Sequence, residues 1–199
     1  MTKLTNFLVL FLVLNFSSYS QNFLSTSGSS IVNENGDTII FRGMGLGGWM
    51  VQEGYMMAPG GFSSTQYQIK DRLIELIGEE ETDVFYHNWL SNHVRKIDID
   101  SMKQWGFNLI RVPIHYNLFT EPIENEPFPN AYTEKEIGFT LLDSLLSWCK
   151  QNQIYLMIDL HAAPGGQGYN ADISDYDPTK PSLWESTLNQ NKTVELWRR

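Results

Sequence analysis

The chain is poor in cysteine and in basic residues, and both shortages exclude whole classes of protein. Its 199 residues include a single cysteine, Cys149, so neither a disulfide framework nor a multi-cysteine zinc site can form within one chain. Lys and Arg together number 14, against 23 Asp and Glu, and the formal net charge is −9. A large basic field is therefore missing, which argues against a general nucleic-acid binder.

Charge of either sign is scarce, at 19% of residues, whereas hydrophobic residues make up 42%. A chain this apolar and this weakly charged is typical of a folded globular domain and not of a disordered one. Aromatic residues are plentiful, with 6 Trp, 9 Tyr and 11 Phe. Such a number suits a packed core, or a surface that stacks on flat ligands.

The N-terminal apolar run is too short to span a membrane. It covers residues 7–16, whereas a transmembrane helix needs about 20 apolar residues. Lys3 precedes this run, and Ser18 and Ser20 occupy positions −3 and −1 of a cleavage site after residue 20. The layout predicts a secretory signal peptide over residues 1–20, and hence a secreted or periplasmic protein. A buried N-terminal strand or helix is the alternative interpretation.

Beyond residue 20, short apolar runs alternate with helical patterns. Strands are predicted around the Asn35-Gly36 turn and at 43–49, 107–114 and 154–160, and helices at 66–77, 82–94, 98–105, from 133 onward and after 183. This alternation is typical of parallel βα units. One domain over residues 21–199 is the simplest organisation.

Two local signals refine these boundaries. Thr133 and Glu136 form the capping-box pattern, which predicts that a helix starts at Thr133. Pro113 has no N–H group, so we expect it at the end of the second sheet strand and not in its middle.

The predicted units are too few to close a barrel. A (β/α)8 barrel needs eight strands and about 250 residues. Three βα units with a long loop after residue 160 therefore cannot form a closed barrel. The last predicted helix is still in mid-pattern at Arg199. We therefore expect the chain to be a fragment, the opening part of an α/β (β/α)8 TIM barrel. A small open-sheet α/β domain that ends at Arg199 is the alternative.

Two further patterns point only weakly to cofactors. Residues 43–48 satisfy G-x-G-x-x-G, but a dinucleotide site needs a helix directly afterwards, and residues 49–61 have the Gly and Pro content of a loop. His115, Asp159 and His161 could be metal ligands, as in barrel metallohydrolases. Closed zinc sites use four ligands and catalytic ones at least three plus water. We predict no cofactor and assign no metal ligand, and a metal-dependent barrel hydrolase is an alternative.

Polar and aromatic side chains gather where the predicted strands end. Asp159 and His161 are two residues apart, so they point to the same face of a strand. Arg111 interrupts an apolar strand, where it forms either a structural ion pair with Asp159 or a hydrogen bond that keeps a catalytic carboxylate ionised. An opposite charge within about 4–6 Å lowers the pKa of an acid by roughly 1–3 units. Aromatic residues on the predicted loops, Trp49 and Tyr116 among them, suggest faces on which sugar rings could stack.

Four blocks of the sequence resemble glycoside hydrolase family 5, the cellulase and glucanase family. They are residues 41–49 (FRGMGLGGW), 106–114 (GFNLIRVPI), 159–167 (DLHAAPGGQ) and 196–199 (LWRR). Their order and spacing match the family, and the first and third blocks are most similar to its exo-β-1,3-glucanase side. The resemblance covers nearly all of the chain after residue 20, but only about the first half of the family domain.

The resemblance implies a (β/α)8 TIM barrel, of which this chain holds roughly the first three βα units, and retaining hydrolysis of β-glycosidic bonds in β-glucans. Retaining enzymes use two carboxyl groups about 5–5.5 Å apart. In the family both are glutamates: the acid/base follows an asparagine at the end of the fourth strand, in Asn-Glu-Pro, and the nucleophile ends the seventh strand. Both strands would lie beyond Arg199, so we expect this chain to lack both catalytic residues and to be inactive alone.

The resemblance also implies roles for residues of this chain. Arg111 matches the arginine that supports the nucleophile, and His161 matches the histidine that contacts the sugar ring to be cleaved. Glu53 resembles a sugar-binding acid of the exo-glucanases. With Trp49 and Tyr116, these are the predicted substrate-binding residues of a full-length monomer that acts on a β-glucan or related polysaccharide. A non-catalytic carbohydrate-binding remnant is the alternative.

Overall fold

The structure, a computed structural model, describes residues 24–57, 61 and 63–198. The predicted signal peptide over residues 1–20 lies outside the described residues. The chain divides into two compact units, Met1–Ile39 and Ile40–Arg199. Among the helices of the described residues, none is long and apolar enough to cross a membrane.

The described part of the first unit is a small antiparallel hairpin with a second turn after it. Strands β1 (Ser25–Ser27) and β2 (Ser30–Val32) pair with each other. The chain then turns at Gly36, and an antiparallel bridge between Val32 and Thr38 flanks this turn. The turn predicted at this position is confirmed.

The second unit is built on a parallel sheet with the strand order β3–β4–β5. The strands are β3 (Gly43–Gly45), β4 (Leu109–His115) and β5 (Tyr155–Ala162), and the helices are α1 (Gly54–Met57), α2 (Gln66–Ile77), α3 (Glu79–Asn92), α4 (Lys96–Gln104), α5 (Glu136–Gln151), α6 (Ala171–Ser174) and α7 (Thr187–Trp197). Helices α1 to α4 lie between β3 and β4 in the chain, α5 lies between β4 and β5, and α6 and α7 follow β5. This order confirms the predicted parallel βα units.

The core of this unit lies between the sheet and its helices. Ile110, Val112 and Ile114 of β4 share one face of the strand and are buried, because side chains alternate between the two faces. Leu145 and Cys149 of α5 pack in the same cluster. Burial raises the pKa of the Cys149 thiol to about 11, so this single cysteine is an inert packing residue.

Pro113 lies inside β4 and not at its end, so that prediction is wrong. His115, two residues later, donates its N–H to the carbonyl oxygen of Met50, on the β3 side of the strand. Residues two apart direct their N–H groups to the same side, so the missing N–H of Pro113 also falls on the β3 side. Because β3 has already ended at Gly45, a proline here costs no hydrogen bond of the ladder.

Helix α5 begins at Glu136 and not at Thr133, so the predicted start is wrong. The capping box does not form because the hydroxyl and the N–H of Thr133 both donate to the carboxylate of Glu126, at 2.7 and 3.0 Å. Glu126 lies in the loop after β4. A tertiary hydrogen bond thus replaces the local cap.

Candidate active site

Three polar side chains meet on one face of β4 and β5, toward the carboxyl end of β5. Arg111 belongs to β4, and Asp159 and His161 belong to β5. The parallel register pairs Pro113 with Asp159, so the three side chains share the face opposite to the buried isoleucines and valine of β4. In barrel and open-sheet α/β proteins, this edge of the sheet carries the functional residues.

Asp159 is the centre of this group. Its Oδ2 atom accepts a short hydrogen bond from Nη2 of Arg111 and lies 2.9 Å from Nδ1 of His161. Nδ1 of His161 also lies 3.1 Å from Nη2 of Arg111. A carboxylate can only accept and a guanidinium can only donate, so Nδ1 is in contact with an acceptor and a donor at once.

The ion pair between Arg111 and Asp159, one of the two interpretations of Arg111, is present. The two side chains remain 41% and 29% exposed. An exposed pair contributes about 0–1 kcal/mol to stability. Stability alone therefore does not explain why an arginine lies inside an apolar strand. The exposure also leaves the guanidinium accessible to a second anion, so one geometry is compatible with both interpretations.

Glu53 lies on the other side of His161. Its Oε1 atom is 3.7 Å from Nε2 of His161, and its side chain is 5% exposed. The next residue, Gly54, donates its N–H to the carbonyl oxygen of Ser64, and a Cβ atom there would lie 2.5 Å from that oxygen. Only glycine permits this close contact, which holds the backbone that presents Glu53. A guanidinium, a carboxylate, an imidazole and a second carboxylate thus form one row.

Tyr55 lies two residues after Glu53, in α1, and its ring is largely exposed. Partial desolvation, the negative charge of Glu53 and a hydrogen bond between the two side chains raise the pKa of Tyr55. The phenol therefore stays protonated and donates to the carboxylate.

Trp49 does not offer a stacking face, so this prediction is wrong. Its side chain is 2% exposed and belongs to the hydrophobic core. The indole N–H of Trp49 donates to the carbonyl oxygen of Leu90 in α3, at 2.9 Å. Since the ring is enclosed and its one polar atom is already bonded inside the protein, Trp49 is a packing residue that a sugar cannot reach.

Tyr116 lines a different cleft. Its ring stacks on the imidazole of His115, with the ring centroids 5.0 Å apart, and both residues line a cleft of about 580 Å³. Burial, and after it the charge of nearby acidic residues, raises the pKa of Tyr116. The described residues that line this cleft do not include Arg111, Asp159 or His161. The structure therefore does not bring Tyr116 together with them, and a role for it in binding substrate stays a prediction.

His115 is paired with Asp175 and not with Asp159 or His161. Its Nε2 atom lies 2.8 Å from Oδ2 of Asp175, and its Nδ1 atom accepts the N–H of Asn117. Nδ1 is thus unprotonated, and the neutral ring donates from Nε2. Within the described part of the chain, no group of three or more His, Cys, Asp or Glu side chains is arranged to hold a metal ion. The three ligands of the metallohydrolase alternative are split between two clusters.

The tripeptide Asn125-Glu126-Pro127 has the letters of the acid/base motif, and the sequence prediction overlooked it. It lies in the loop after β4 and not at the end of a strand. Lys192 makes a short ion pair with Glu126, and the two side chains are each 3% exposed. Burial raises the pKa of Glu126, but hydrogen bonds from Lys192 and Thr133 outweigh it and hold the pKa below its ordinary value. A covered carboxylate that stays ionised cannot exchange protons with a sugar, so Glu126 is structural.

The proteins to which this chain is similar carry the names of glycosidases. Residues 69–195 match the family described as cellulase (glycosyl hydrolase family 5). The chain is 34% identical over 176 residues to a beta-xylosidase of Phanerodontia chrysosporium, which covers 88% of this chain and 35% of that protein. It is 32% identical over 159 residues to the probable glucan 1,3-beta-glucosidase A of Aspergillus niger, which covers 78% of this chain and 36% of that protein.

Two solved structures share the fold at low sequence identity. The rutinosidase from Aspergillus niger has a TM-score of 0.52 and 19% identity, over 68% of this chain and 36% of that chain. The structure titled AoRut has a TM-score of 0.57 and 15% identity, over 79% of this chain and 43% of that chain.

These matches place the chain among the glycoside hydrolases with a barrel fold. The chain belongs to glycosyl hydrolase family 5, which confirms the resemblance of the four sequence blocks. The family and the two similar structures imply a TIM barrel, of which the described residues show a three-stranded parallel sheet with its helices. The chain spans about a third of the length of the curated relatives it matches.

Proposed function

We propose that the protein containing this chain hydrolyses β-glycosidic bonds in β-glucans and retains the configuration of the anomeric carbon. Residues 21–199 supply the first three βα units of its barrel, and both catalytic glutamates lie beyond Arg199. The row of polar side chains from Arg111 to Glu53, at the carboxyl ends of the strands, is the observation that carries the proposal. Relatives named glucan 1,3-beta-glucosidase support a β-glucan as the substrate.

Arg111 keeps the catalytic nucleophile ionised. A positive charge within about 4–6 Å lowers the pKa of a carboxyl group by roughly 1–3 units, and the nucleophile of a retaining enzyme attacks as a carboxylate. Asp159 holds the guanidinium through a short hydrogen bond, while the exposed part of Arg111 is accessible to the nucleophile. The positive charge is thus oriented before the substrate binds.

His161 and Glu53 bind hydroxyl groups of the sugar ring to be cleaved. Nε2 of His161, which points away from Arg111 and Asp159, forms a hydrogen bond with one hydroxyl, and the carboxylate of Glu53 accepts a hydrogen bond from another. Nε2 of His161 and Oε1 of Glu53 are 3.7 Å apart, close enough to bind the same ring. Hydrogen bonds to a charged acceptor such as Glu53 are the stronger kind, so this residue contributes most to holding the ring.

The protein acts on its substrate outside the cytoplasm, as a monomer and without a cofactor. Residues 1–20 act as the signal peptide, since a charged start, a short apolar run and small residues before the cleavage point are the parts of such a signal. A polymer such as a β-glucan is met outside the cell, so secretion and this substrate agree.

Assays of the full-length protein on β-1,3-glucan and β-1,4-glucan test the proposal. We expect hydrolysis whose first product, followed by NMR, has the β configuration, as retaining chemistry requires. Turnover by residues 1–199 alone would contradict the placement of both glutamates beyond Arg199. Loss of activity on chelation with EDTA would favour the metal-dependent alternative, and glucan binding without any hydrolysis would favour the non-catalytic remnant.

A further inference from the structure

Trp184 is an exposed tryptophan whose ring is nevertheless held in place. It lies in the loop between β5 and α7, and it is 70% exposed. Its indole N–H donates to the carbonyl oxygen of Gln167, at 2.7 Å. Its own carbonyl oxygen accepts a hydrogen bond from Gln190 of α7, at 3.2 Å. One hydrogen bond thus holds the exposed ring, and the other holds the backbone of the same residue.

The loop that carries Trp184 is closely packed. Leu183 donates its N–H to the carbonyl oxygen of Gly166, which ties the two ends of the loop together. At Gly165, with a φ of 79°, a Cβ atom would lie 2.2 Å from Nδ2 of Asn189 and 2.8 Å from the carbonyl oxygen of Pro181. Only glycine fits there, so the loop has little freedom to move the indole.

Gln167 connects this indole to the proposed sugar site. Its side-chain amide donates to the carbonyl oxygen of His161 through Nε2 and accepts the N–H of Ala163 through Oε1. Its carbonyl oxygen holds Trp184. One residue therefore fixes the position of the indole relative to His161, which binds the ring to be cleaved.

We propose that Trp184 forms a further sugar subsite, which stacks on the apolar C–H face of a pyranose ring of the β-glucan beyond the ring bound at His161. This inference rests on the proposed function. An aromatic ring that is already fixed loses little conformational entropy when a ligand binds. Trp184 follows β5, the strand that carries His161, and its indole is both exposed and held in place. It is therefore suited to bind a flat, partly apolar ligand.

Trp105 provides a matched comparison. It is also 70% exposed, but it ends α4 and precedes β4, so it lies toward the amino end of that strand and away from the proposed site. If exposure alone made an indole bind sugar, Trp105 and Trp184 would behave alike. If the link to His161 matters, only Trp184 responds to the glucan.

Binding of hydrolysis-resistant, thio-linked β-1,3-gluco-oligosaccharides to the full-length protein tests the inference. In calorimetric titrations, Trp184→Ala should weaken the affinity for the hexasaccharide by about tenfold, which corresponds to about 1.4 kcal/mol, and leave the affinity for the disaccharide unchanged. Trp184→Phe keeps an aromatic face and should recover most of the loss. Trp105→Ala should bind both oligosaccharides like the wild type.

Indole N–H resonances give a second measurement that does not depend on the stability of an alanine variant. The resonance of Trp184, identified by its disappearance in Trp184→Phe, should shift when the hexasaccharide is added. The resonance of Trp105 should not shift. A Trp184 resonance that shifts with protein concentration and not with sugar would show that another copy or segment covers the ring, and would overturn the inference.

The outcomes separate this inference from the proposed function. If the hexasaccharide binds to the wild type and to Trp184→Ala equally, and binding is lost in His161→Ala, the subsite is refuted and the proposed function stands. If the wild type binds neither oligosaccharide, the subsite and the β-glucan substrate are both refuted.

Discussion

Two of the ion pairs that join residues far apart in sequence differ in their access to solvent. Arg111 and Asp159 are 48 residues apart and remain 41% and 29% exposed. Lys192 and Glu126 are 66 residues apart and are each 3% exposed. The first pair joins the neighbouring strands β4 and β5, whereas the second joins the loop after β4 to helix α7.

The buried pair satisfies its charges within the protein. Nζ of Lys192 also donates to the hydroxyl of Thr120, at 3.0 Å, and Glu126 also accepts from Thr133. A buried pair with such additional partners fastens two segments together and has no capacity to bind a ligand. The exposed pair contributes little to stability, so its charges are available for a substrate. Solvent access, and not the residue types, separates the structural pair from the functional one.

Removing one partner of the buried pair should have the largest effect. Lys192→Met leaves the ionised Glu126 buried without its cation, and breaking a buried pair in this way costs about 3–5 kcal/mol of unfolding free energy. Urea denaturation of the full-length protein measures this loss. The control is Lys180→Met, because Lys180 pairs with Glu124 at 3.0 Å but is 52% exposed, and its loss should cost about 0–1 kcal/mol. Equal losses in the two variants would contradict the comparison.

Removing the cation of the exposed pair should act on the reaction and not on stability. Arg111→Ala should lower kcat of the full-length enzyme by about 10²–10³-fold, the effect of deleting a preorganised electrostatic group. Its unfolding free energy should change by about 0–1 kcal/mol.

Steady-state kinetics and urea denaturation of the same preparation separate these two effects. Arg72→Ala is the control, since Arg72 forms an exposed pair with Glu75 on α2 and should affect neither measurement. A stable, fully active Arg111→Ala enzyme would show that the exposed pair has no role in catalysis.

The backbone contact beside Glu53 should have an intermediate effect. In Gly54→Ala the new methyl group meets the carbonyl oxygen of Ser64 at 2.5 Å, and overpacking of this kind costs about 1–3 kcal/mol of unfolding free energy. The shift of Glu53 should also raise KM more than it lowers kcat, because Glu53 binds the sugar. In Gly168→Ala the methyl group meets nothing within 4 Å, so this control should be neutral. An unchanged KM in Gly54→Ala would argue against a sugar contact at Glu53.

The smallest expected effect is a pH dependence of stability that comes from Glu126. Its pKa in the folded protein is lowered by Lys192 and Thr133 despite burial, so the folded state favours the ionised form. This contribution is present above the pKa of the unfolded chain and is lost as the pH falls through the folded pKa. The stability difference between wild type and Glu126→Gln should therefore shrink from about pH 5 downward. A difference that grows on acidification would mean that the pKa is raised instead.

Local patterns were sufficient to predict the parallel βα units and the common face of Asp159 and His161. A short apolar run predicts a strand, and a spacing of two residues predicts a shared face of that strand. Both patterns depend only on neighbouring residues. Arg111 was recognised for the same reason, because a charged residue inside an apolar strand is visible in the sequence. Its ion pair with Asp159 follows from the register of two adjacent parallel strands.

Two predictions failed because the side chains have partners outside the local sequence pattern. The sequence predicts a stacking face for sugars at Trp49, but its indole N–H donates to Leu90, 41 residues later, inside the core. Thr133 was expected to cap its own helix, but its side chain bonds to Glu126 instead. The residues next to Trp49 do not indicate Leu90, and the capping-box pattern of Thr133 does not indicate that Glu126, seven residues earlier, binds its side chain instead.

The sequence by itself determined the order of strands and helices, the family and the residue types at the strand ends, because periodicity and short motifs act over a few residues. Only the tertiary structure decided which of these residues are enclosed and which face solvent. Burial depends on segments that are dozens of residues away, and it sets both the pKa of a carboxylate and its access to a ligand. Two glutamates that are both buried differ in their partners: Glu126 is paired with Lys192 and Thr133 and is structural, whereas Glu53 faces His161 and is a candidate sugar contact.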